Sequence, residues 1–161
     1  MKQIQLNSLT SNLKFALIDD EDLEKVSKLN WHIYDNRKGY VRAWVGTSRK
    51  DRRYIYMHHL IMNTTEMLDH IDGNTFNNQK SNLRFSDDTL NNANSRKRQN
   101  TSSIYKGVSF CKLTGLYRTK IKIEGLEYDL GRFYSQEDAA RAYNIKAREL
   151  FGEFARLNFN G

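Results

Sequence analysis

The clearest pattern in the chain is the period-two alternation of "LYRTKIKI". Tyr117, Thr119, Ile121 and Ile123 fall on one face, and Arg118, Lys120 and Lys122 fall on the other. A strand of this kind buries one face and leaves a cationic face to solvent. "YKGVSF" reads as the strand before it, "CKLTG" and "EG" as turns, and "EYDLGRF" as the strand after. Ser135 then caps a helix, with Asp138 completing a capping box. Ala139, Ala142, Tyr143, Ala147 and Leu150 recur at helical spacing, and Gly152 stops the run. The pattern predicts a three-stranded antiparallel sheet with one face packed on an alanine-rich helix and the other face open.

The first part of the chain is more mixed. "KQIQL" and "LKFALI" predict short strands. Asp20 is placed to cap a helix over "EDLEKVSKL", where Leu23, Val26 and Leu29 form one apolar stripe. "NWHIY" and "YVRAWV" flank "DNRKG", a hairpin-turn signal, and "RRYIYMHHLIM" predicts a further strand. "LDHI" and "NLRF" predict two more strands, and Ser86 or Asp87 caps a helix through "DTLNNANSRKR". Asparagine is a weak helix former, so Asn91, Asn92 and Asn94 in one short helix point to a role other than stability. "QNTSSI", residues 99–104, is polar and small and reads as a linker. The expected fold class is α+β, with a β-rich module over residues 1–98 and a sheet-and-helix module over 105–161.

Charge sharpens this division. The 161 residues carry a net charge of +7, and no acidic residue lies between Asp88 and Glu124. That stretch holds Arg96, Lys97, Arg98, Lys106, Lys112, Arg118, Lys120 and Lys122, which suits a polyanion. The one cysteine, Cys111, excludes an intrachain disulfide and a cysteine-based zinc cage. No apolar run approaches the roughly 18 residues that span a bilayer, and no signal-peptide pattern follows Met1. The expectation is a cytoplasmic protein without a membrane partner or an obligatory protein partner.

The candidate chemistry lies in "LDHIDGNTFNNQKSNLRF", residues 68–85. Hydrolysis of a phosphodiester needs a base for water, a divalent cation for the developing charge, and a scaffold that fixes both. Asp69 can face a metal and His70 the substrate. Asn91 on the following helix can add an amide oxygen, and Asn82 can pin the loop with its amide. Carboxylate and amide oxygens suit Mg²⁺. Asn77 and Asn78 read as plain loop residues, and His32 as structural.

"MHHLIM", "DHIDGNTFNNQKSNLRF" and "LNNAN" together resemble the HNH endonucleases of the ββα-metal fold, closest to the phage and intron-borne homing type. The resemblance covers about residues 54–94, with the core motif placed at 54–98. It implies Asp69 and Asn91 as metal ligands, His70 as general base and Asn82 as the structural middle residue. It also implies a supporting or phosphate-contacting role for His58, and Mg²⁺ or a similar cation such as Mn²⁺ as cofactor. His59 stands where arginine is common, and Asn91 where many HNH enzymes carry histidine.

Residues 105–159 resemble the plant ethylene-response-factor (Apetala-type) DNA-binding domain through "YKGV", "LGRF", "SQEDAARAY" and "FGEFARLNF". That resemblance implies a sheet in the major groove, with Lys106, Ser109, Arg118, Lys120 and Lys122 toward the DNA. Arg96, Lys97 and Arg98 extend the cationic surface. Tyr117 replaces a usual tryptophan, and Glu127 and Asp129 stand where the family carries DNA contacts. The expected function is a homing-type endonuclease acting on double-stranded DNA, inside a bacterial or phage-infected cell. One rival is a non-cleaving DNA-binding regulator built on an HNH scaffold. Another, an RNA-binding protein, is disfavoured because no aromatic stacking platform is evident.

Overall fold

The computed structural model describes residues 1–7, 14–34, 39–48 and 50–159. It is α+β and divides into two compact units, Met1–Ser86 and Asp87–Gly161. The hairpin turn expected at 35–39 lies largely outside the described residues. No described helix is long and apolar enough to cross a membrane.

In the first unit, β1 (Lys2–Leu6) and β2 (Lys14–Ile18) form an antiparallel pair. A 3₁₀ turn, Asp20–Asp22, leads into α1 (Leu23–Ser27). The cap differs from the expectation at Asp20. Asp22 stands at the N-cap of α1 without a capping bond, and Asp19, at the start of the 3₁₀ turn, makes none either. Its carboxylate accepts instead from Gln79 Nε2 at 3.0 Å and the Lys80 amide at 2.8 Å, so a distant loop competes successfully for it. β3 (Trp31–Tyr34), β4 (Tyr40–Val45) and β5 (Arg53–Tyr56) make a three-stranded antiparallel sheet. Leu6, Ile18, Val26, Trp31, Val41 and Met57 form the centre of the core. The Trp31 indole is buried, and its N–H donates to the Val26 carbonyl at 2.8 Å, which satisfies its one polar atom.

The expected strand "RRYIYMHHLIM" is half right. Only Arg53–Tyr56 is extended, and α2 (Met57–Met62) follows at once. Met57, His58 and Ile61 are its buried residues, a helical spacing hidden among large side chains that suit a strand as well. Asn63 ends the helix in the left-handed region at φ 50°, a conformation asparagine tolerates. β6 (Leu68–His70) and β7 (Leu83–Phe85) then pair antiparallel, with Asp69 opposite Arg84 and His70 opposite Leu83.

The outer face of the β3–β4–β5 sheet corrects a further expectation. Val41 and Ala43 point into the core, so Tyr40, Arg42 and Trp44 take the other face. Tyr54 and Tyr56 of β5 stand opposite Trp44 and Arg42. An aromatic surface is therefore present.

The second unit begins with α3 (Asp88–Asn94). Asp87 caps it, accepting from the Leu90 amide at 2.8 Å. The helix stops at Asn94 rather than continuing through Arg98. Leu90 and Ala93 join Ile121, Tyr143 and Phe151 in one apolar cluster. β8 (Val108–Cys111), β9 (Leu116–Ile123) and β10 (Leu126–Phe133) form an antiparallel sheet with β9 central. α4 (Gln136–Phe151) packs on it through Ala139, Ala140, Tyr143 and Ala147. Ser135 Oγ caps α4 by accepting from the Asp138 amide at 3.0 Å. Gly107 shows why small residues matter here: a Cβ on it would lie 2.1 Å from the Tyr143 ring. The segment read as a linker, 99–104, belongs to this unit. Ser103 is buried and its hydroxyl donates to Gln136, while Ser102 accepts from the Phe110 amide.

Candidate active site

The β6–β7 hairpin and its connecting loop build the site. Asp72 is the loop's hub. Its carboxylate accepts from the Asn74 amide at 2.7 Å, from Asn77 Nδ2 at 2.9 Å and from Asn82 Nδ2 at 3.0 Å. Asn82 also accepts from the Asp72 amide and donates to the Asn77 carbonyl. It is buried, and these bonds tie β7 to the loop. Burial pushes the Asp72 carboxyl up, but the bonds from Asn77, the Asn74 amide and Asn82 outweigh it and hold the group below its ordinary value. Leu17 anchors the far side of the loop, donating to the Phe76 carbonyl and accepting from the Asn78 amide, both at 2.8 Å.

Asp69 and His70 are both buried at the base of this loop. Arg84 on β7 donates to Asp69 Oδ2 from Nε at 3.2 Å and from Nη2 at 2.9 Å. His70 Nε2 lies 3.4 Å from Asn78 Oδ1. If Nε2 carries the proton there, Nδ1 holds the lone pair. Burial lowers the His70 pKa, against the Asn78 bond and the charges of Asp72 and Asp69, which favours the neutral form a general base needs.

His58 on α2 comes to the same place. Its ring centroid is 5.3 Å from that of His70, 5.5 Å from Tyr40 and 5.5 Å from Tyr56. Burial, helped by the neighbouring His70 and His59, drives its pKa down to about 3. It is a neutral, caged imidazole. His59 is adjacent, at 4.4 Å between centroids, and burial lowers it as well.

The hairpin thus brings together Asp69, His70, Asn82 and His58, all in the first unit. Asn91 lies on α3, in the second unit. Three participants escaped the sequence reading. Arg84 could have been found from strand register, since it faces Asp69 directly. Asn78 is wholly buried although it reads as loop, and Tyr40 was given no role. Asp69 is the site's hard oxygen donor, and its chemistry fits a divalent cation. Such a cation has to share or displace the Arg84 guanidinium. Among the described residues, no group of three or more His, Cys, Asp or Glu side chains is arranged to hold a metal.

The second unit carries the cationic surface. Thr119 and Ile121 are buried while Lys120 and Lys122 are exposed, as the alternation predicts. The cations are not equivalent. Arg118 pairs with Asp129 at 2.8 Å, and Lys120 with Glu127 at 2.8 Å. Lys106 is tied down: its ammonium donates to the carbonyls of Asn92, Ala93 and Ser95 at the end of α3. Burial and the nearby Arg156 lower its pKa to about 8. Ser109 is exposed, and its hydroxyl approaches the Arg118 carbonyl. A cleft of about 500 Å³ is lined by Arg96, Lys97, Arg98, Lys106, Lys120 and Lys122, together with Glu127. Among the described residues, no carboxylate forms an ion pair with Arg96, Lys97, Arg98 or Lys122.

No family model matches the chain. No solved structure matches it. Two curated proteins do. Protein 3.8 of Escherichia phage T7 is 34% identical over 90 residues, covering 56% of this chain and 74% of that protein. An uncharacterized HNH endonuclease of Acanthamoeba polyphaga mimivirus is 32% identical over 148 residues, covering 89% of this chain and 74% of its own length. An alignment of that extent runs across the buried Asp69–His70 hairpin and most of both units, and the chain belongs to the HNH endonuclease family.

Proposed function

We propose that the protein is a DNA endonuclease that hydrolyses phosphodiester bonds with His70 as general base and a divalent cation, Mg²⁺ or Mn²⁺, as cofactor. The observation that carries this reading is the hairpin: a buried carboxylate and a buried neutral imidazole are adjacent in sequence and fixed by an asparagine-rich loop. A bound cation supplies charge stabilisation at the phosphate and the leaving oxygen. Asp69 is its carboxylate ligand in this reading, and the resemblance implies Asn91 as the second. His70 takes a proton from water, and Asn78 orients its ring. His58 holds the opposite wall, because a caged neutral imidazole donates or accepts one hydrogen bond without carrying charge. Asn82 keeps the loop in register with the strand that carries Asp69.

The second unit fits duplex DNA through Arg96, Lys97, Arg98 and Lys122, which form no ion pair among the described residues. A target-finding role there, and a homing role for the whole, complete the proposal. The test is incubation with supercoiled plasmid and Mg²⁺, with EDTA as control. Nicked or linear product that EDTA abolishes is expected. Plasmid that is bound but uncut under Mg²⁺ and Mn²⁺ would make the protein a DNA-binding regulator on an HNH scaffold.

A further inference from the structure

We infer that the outer face of the β3–β4–β5 sheet is a stacking platform for unpaired nucleotides of a single DNA strand, leading into the Asp69–His70 site. The inference rests on the DNA-cleaving reading above.

The platform follows from strand alternation. With Val41 and Ala43 in the core, β4 must present Tyr40, Arg42 and Trp44 on its other side. Cross-strand register sets Tyr54 opposite Trp44, and their ring centroids are 3.5 Å apart at an interplanar angle of 31°. The Arg42 guanidinium lies 3.4 Å from the Tyr54 centroid and 3.7 Å from that of Tyr34. The Arg52 guanidinium covers Trp44 at 4.2 Å. Trp44 and Tyr54 remain 37% and 38% exposed. Large aromatics are costly to leave in water, and a contiguous exposed group of them marks a binding surface.

Two features narrow the occupant. The first is charge. Arg42 and Arg52 lie against the rings, while the acid of this loop, Asp51, is held by the amides and hydroxyls of Thr47 and Ser48. Tyr54 is already held between Arg42 and Trp44, so the face a base can take is that of Trp44, where it would displace the exposed Arg52 side chain toward the adjoining phosphate. The second is continuity. Tyr56 stacks on His58 at an interplanar angle of 17°, and Tyr40 lies 5.5 Å from His58 and 6.1 Å from His70. The aromatic face therefore runs from Trp44 to the candidate base without leaving the first unit. A duplex hides its base faces, so only unpaired nucleotides can use such a surface. The substrate then carries unpaired nucleotides beside the scissile phosphate.

The test uses the full chain in EDTA, so that nothing is cut. A fifteen-nucleotide oligothymidylate should quench the fluorescence of Trp44; the other tryptophan, Trp31, is buried. Trp44→Phe should keep most of the affinity and lose the quenching. Trp44→Ala and Tyr54→Ala should each weaken oligothymidylate binding about tenfold or more, with little change in salt dependence, because stacking releases no counterions. Circular dichroism melting identifies any variant that fails to fold, and Trp44→Phe keeps the idea testable in that event. Oligothymidylate binding by Trp44→Ala at wild-type strength overturns the inference. So does a blunt duplex that quenches as well as the single strand, or an oligouridylate that binds more tightly than oligothymidylate. Plasmid cleavage without Trp44 quenching removes this inference and leaves the nuclease reading intact. Quenching without cleavage under any divalent cation does the reverse.

Discussion

Two arginine–carboxylate pairs in this protein look alike on paper and differ in every consequence. Arg84 meets Asp69 at 2.9 Å in the first unit, and Arg118 meets Asp129 at 2.8 Å in the second. Both span neighbouring antiparallel strands. The first pair is nearly out of water, with side chains 13% and 6% exposed, and the second is at the surface, at 36% and 44%. Burial separates the two environments. A buried charge must have partners, so its geometry is over-determined and can serve chemistry. An exposed charge is cheap to place and to re-pair, so it suits attraction of a polyanion. The same contrast holds for the histidines and lysines around them.

The contrast breaks most visibly at His70. Replacing it with alanine should lower the cleavage rate about 10²- to 10⁴-fold and leave duplex binding within a factor of about three. Single-turnover cleavage and binding in EDTA, on the same preparation, measure the two. Near-wild-type cleavage would move the base to another group, with His58 next in line.

Next in size is the buried pair itself. Removing Asp69 leaves the Arg84 guanidinium without its carboxylate in a dry site. Asp69→Ala should therefore cost about 3–5 kcal/mol of stability, as well as activity. Asp69→Asn should cost less, because an amide still accepts. Chelation should stop cleavage without lowering Tm, since a cation held by so few protein groups adds little to folding. Urea melts of Asp69→Ala and Arg84→Ala and their double variant give the coupling. A coupling near zero would show that the pair is no tighter than the surface one.

What the sequence made legible follows the same division. The second unit's sheet could be read because one face is apolar and the other is charged, so its period is plain at Thr119, Lys120, Ile121 and Lys122. The break from β5 to α2 was hidden, since the large apolar and aromatic residues of "RYIYMHHLIM" fit either period. Asp69, His70 and Asn82 were singled out by residue type, and His58 by the family resemblance; the structure places His58 beside His70. Arg84 and Asn78 were not, because their roles depend on which strand and loop face them. The aromatic platform was legible in principle: Tyr40, Arg42 and Trp44 alternate against Val41 and Ala43. Its meaning depends on Tyr54 across the sheet, and that is a matter of register.

A smaller effect probes how dry the first unit is. His58 titrates near 3 when folded and near 6.5 as a free side chain. Between those values the unfolded chain binds more protons, so stability is highest above about pH 6.5 and falls as the pH drops. His58→Phe keeps a ring beside Tyr40 and Tyr56 and removes the proton site. Its loss of Tm between pH 7 and pH 4.5 should be smaller than that of the wild type. An equal loss would mean that solvent reaches His58 and that the cage is open.

The smallest energies belong to the surface pairs, and they test what the second unit is for. Breaking the Arg118–Asp129 pair should change stability by no more than about 1 kcal/mol, as exposed pairs do. Its effect should appear instead in DNA binding. Asp129→Asn leaves Arg118 only its looser pair with Glu127, at 3.6 Å, so affinity for a random duplex should rise and the salt-dependence slope should steepen by up to about one unit. Arg96→Ala, Arg98→Ala and Lys122→Ala act on cations without an acidic partner among the described residues, and each should flatten the slope by about one unit. The deciding variant is the double one, Arg118→Ala with Asp129→Ala, which removes a neutral pair and keeps the net charge. If the cleft beside Arg96 and Lys122 carries the phosphates, this variant should bind random duplex as the wild type does. If it instead loses one unit of slope, Arg118 reaches the DNA in spite of Asp129. The surface pair would then resemble the buried one in being fixed, and the contrast between the two units would fail at its exposed end.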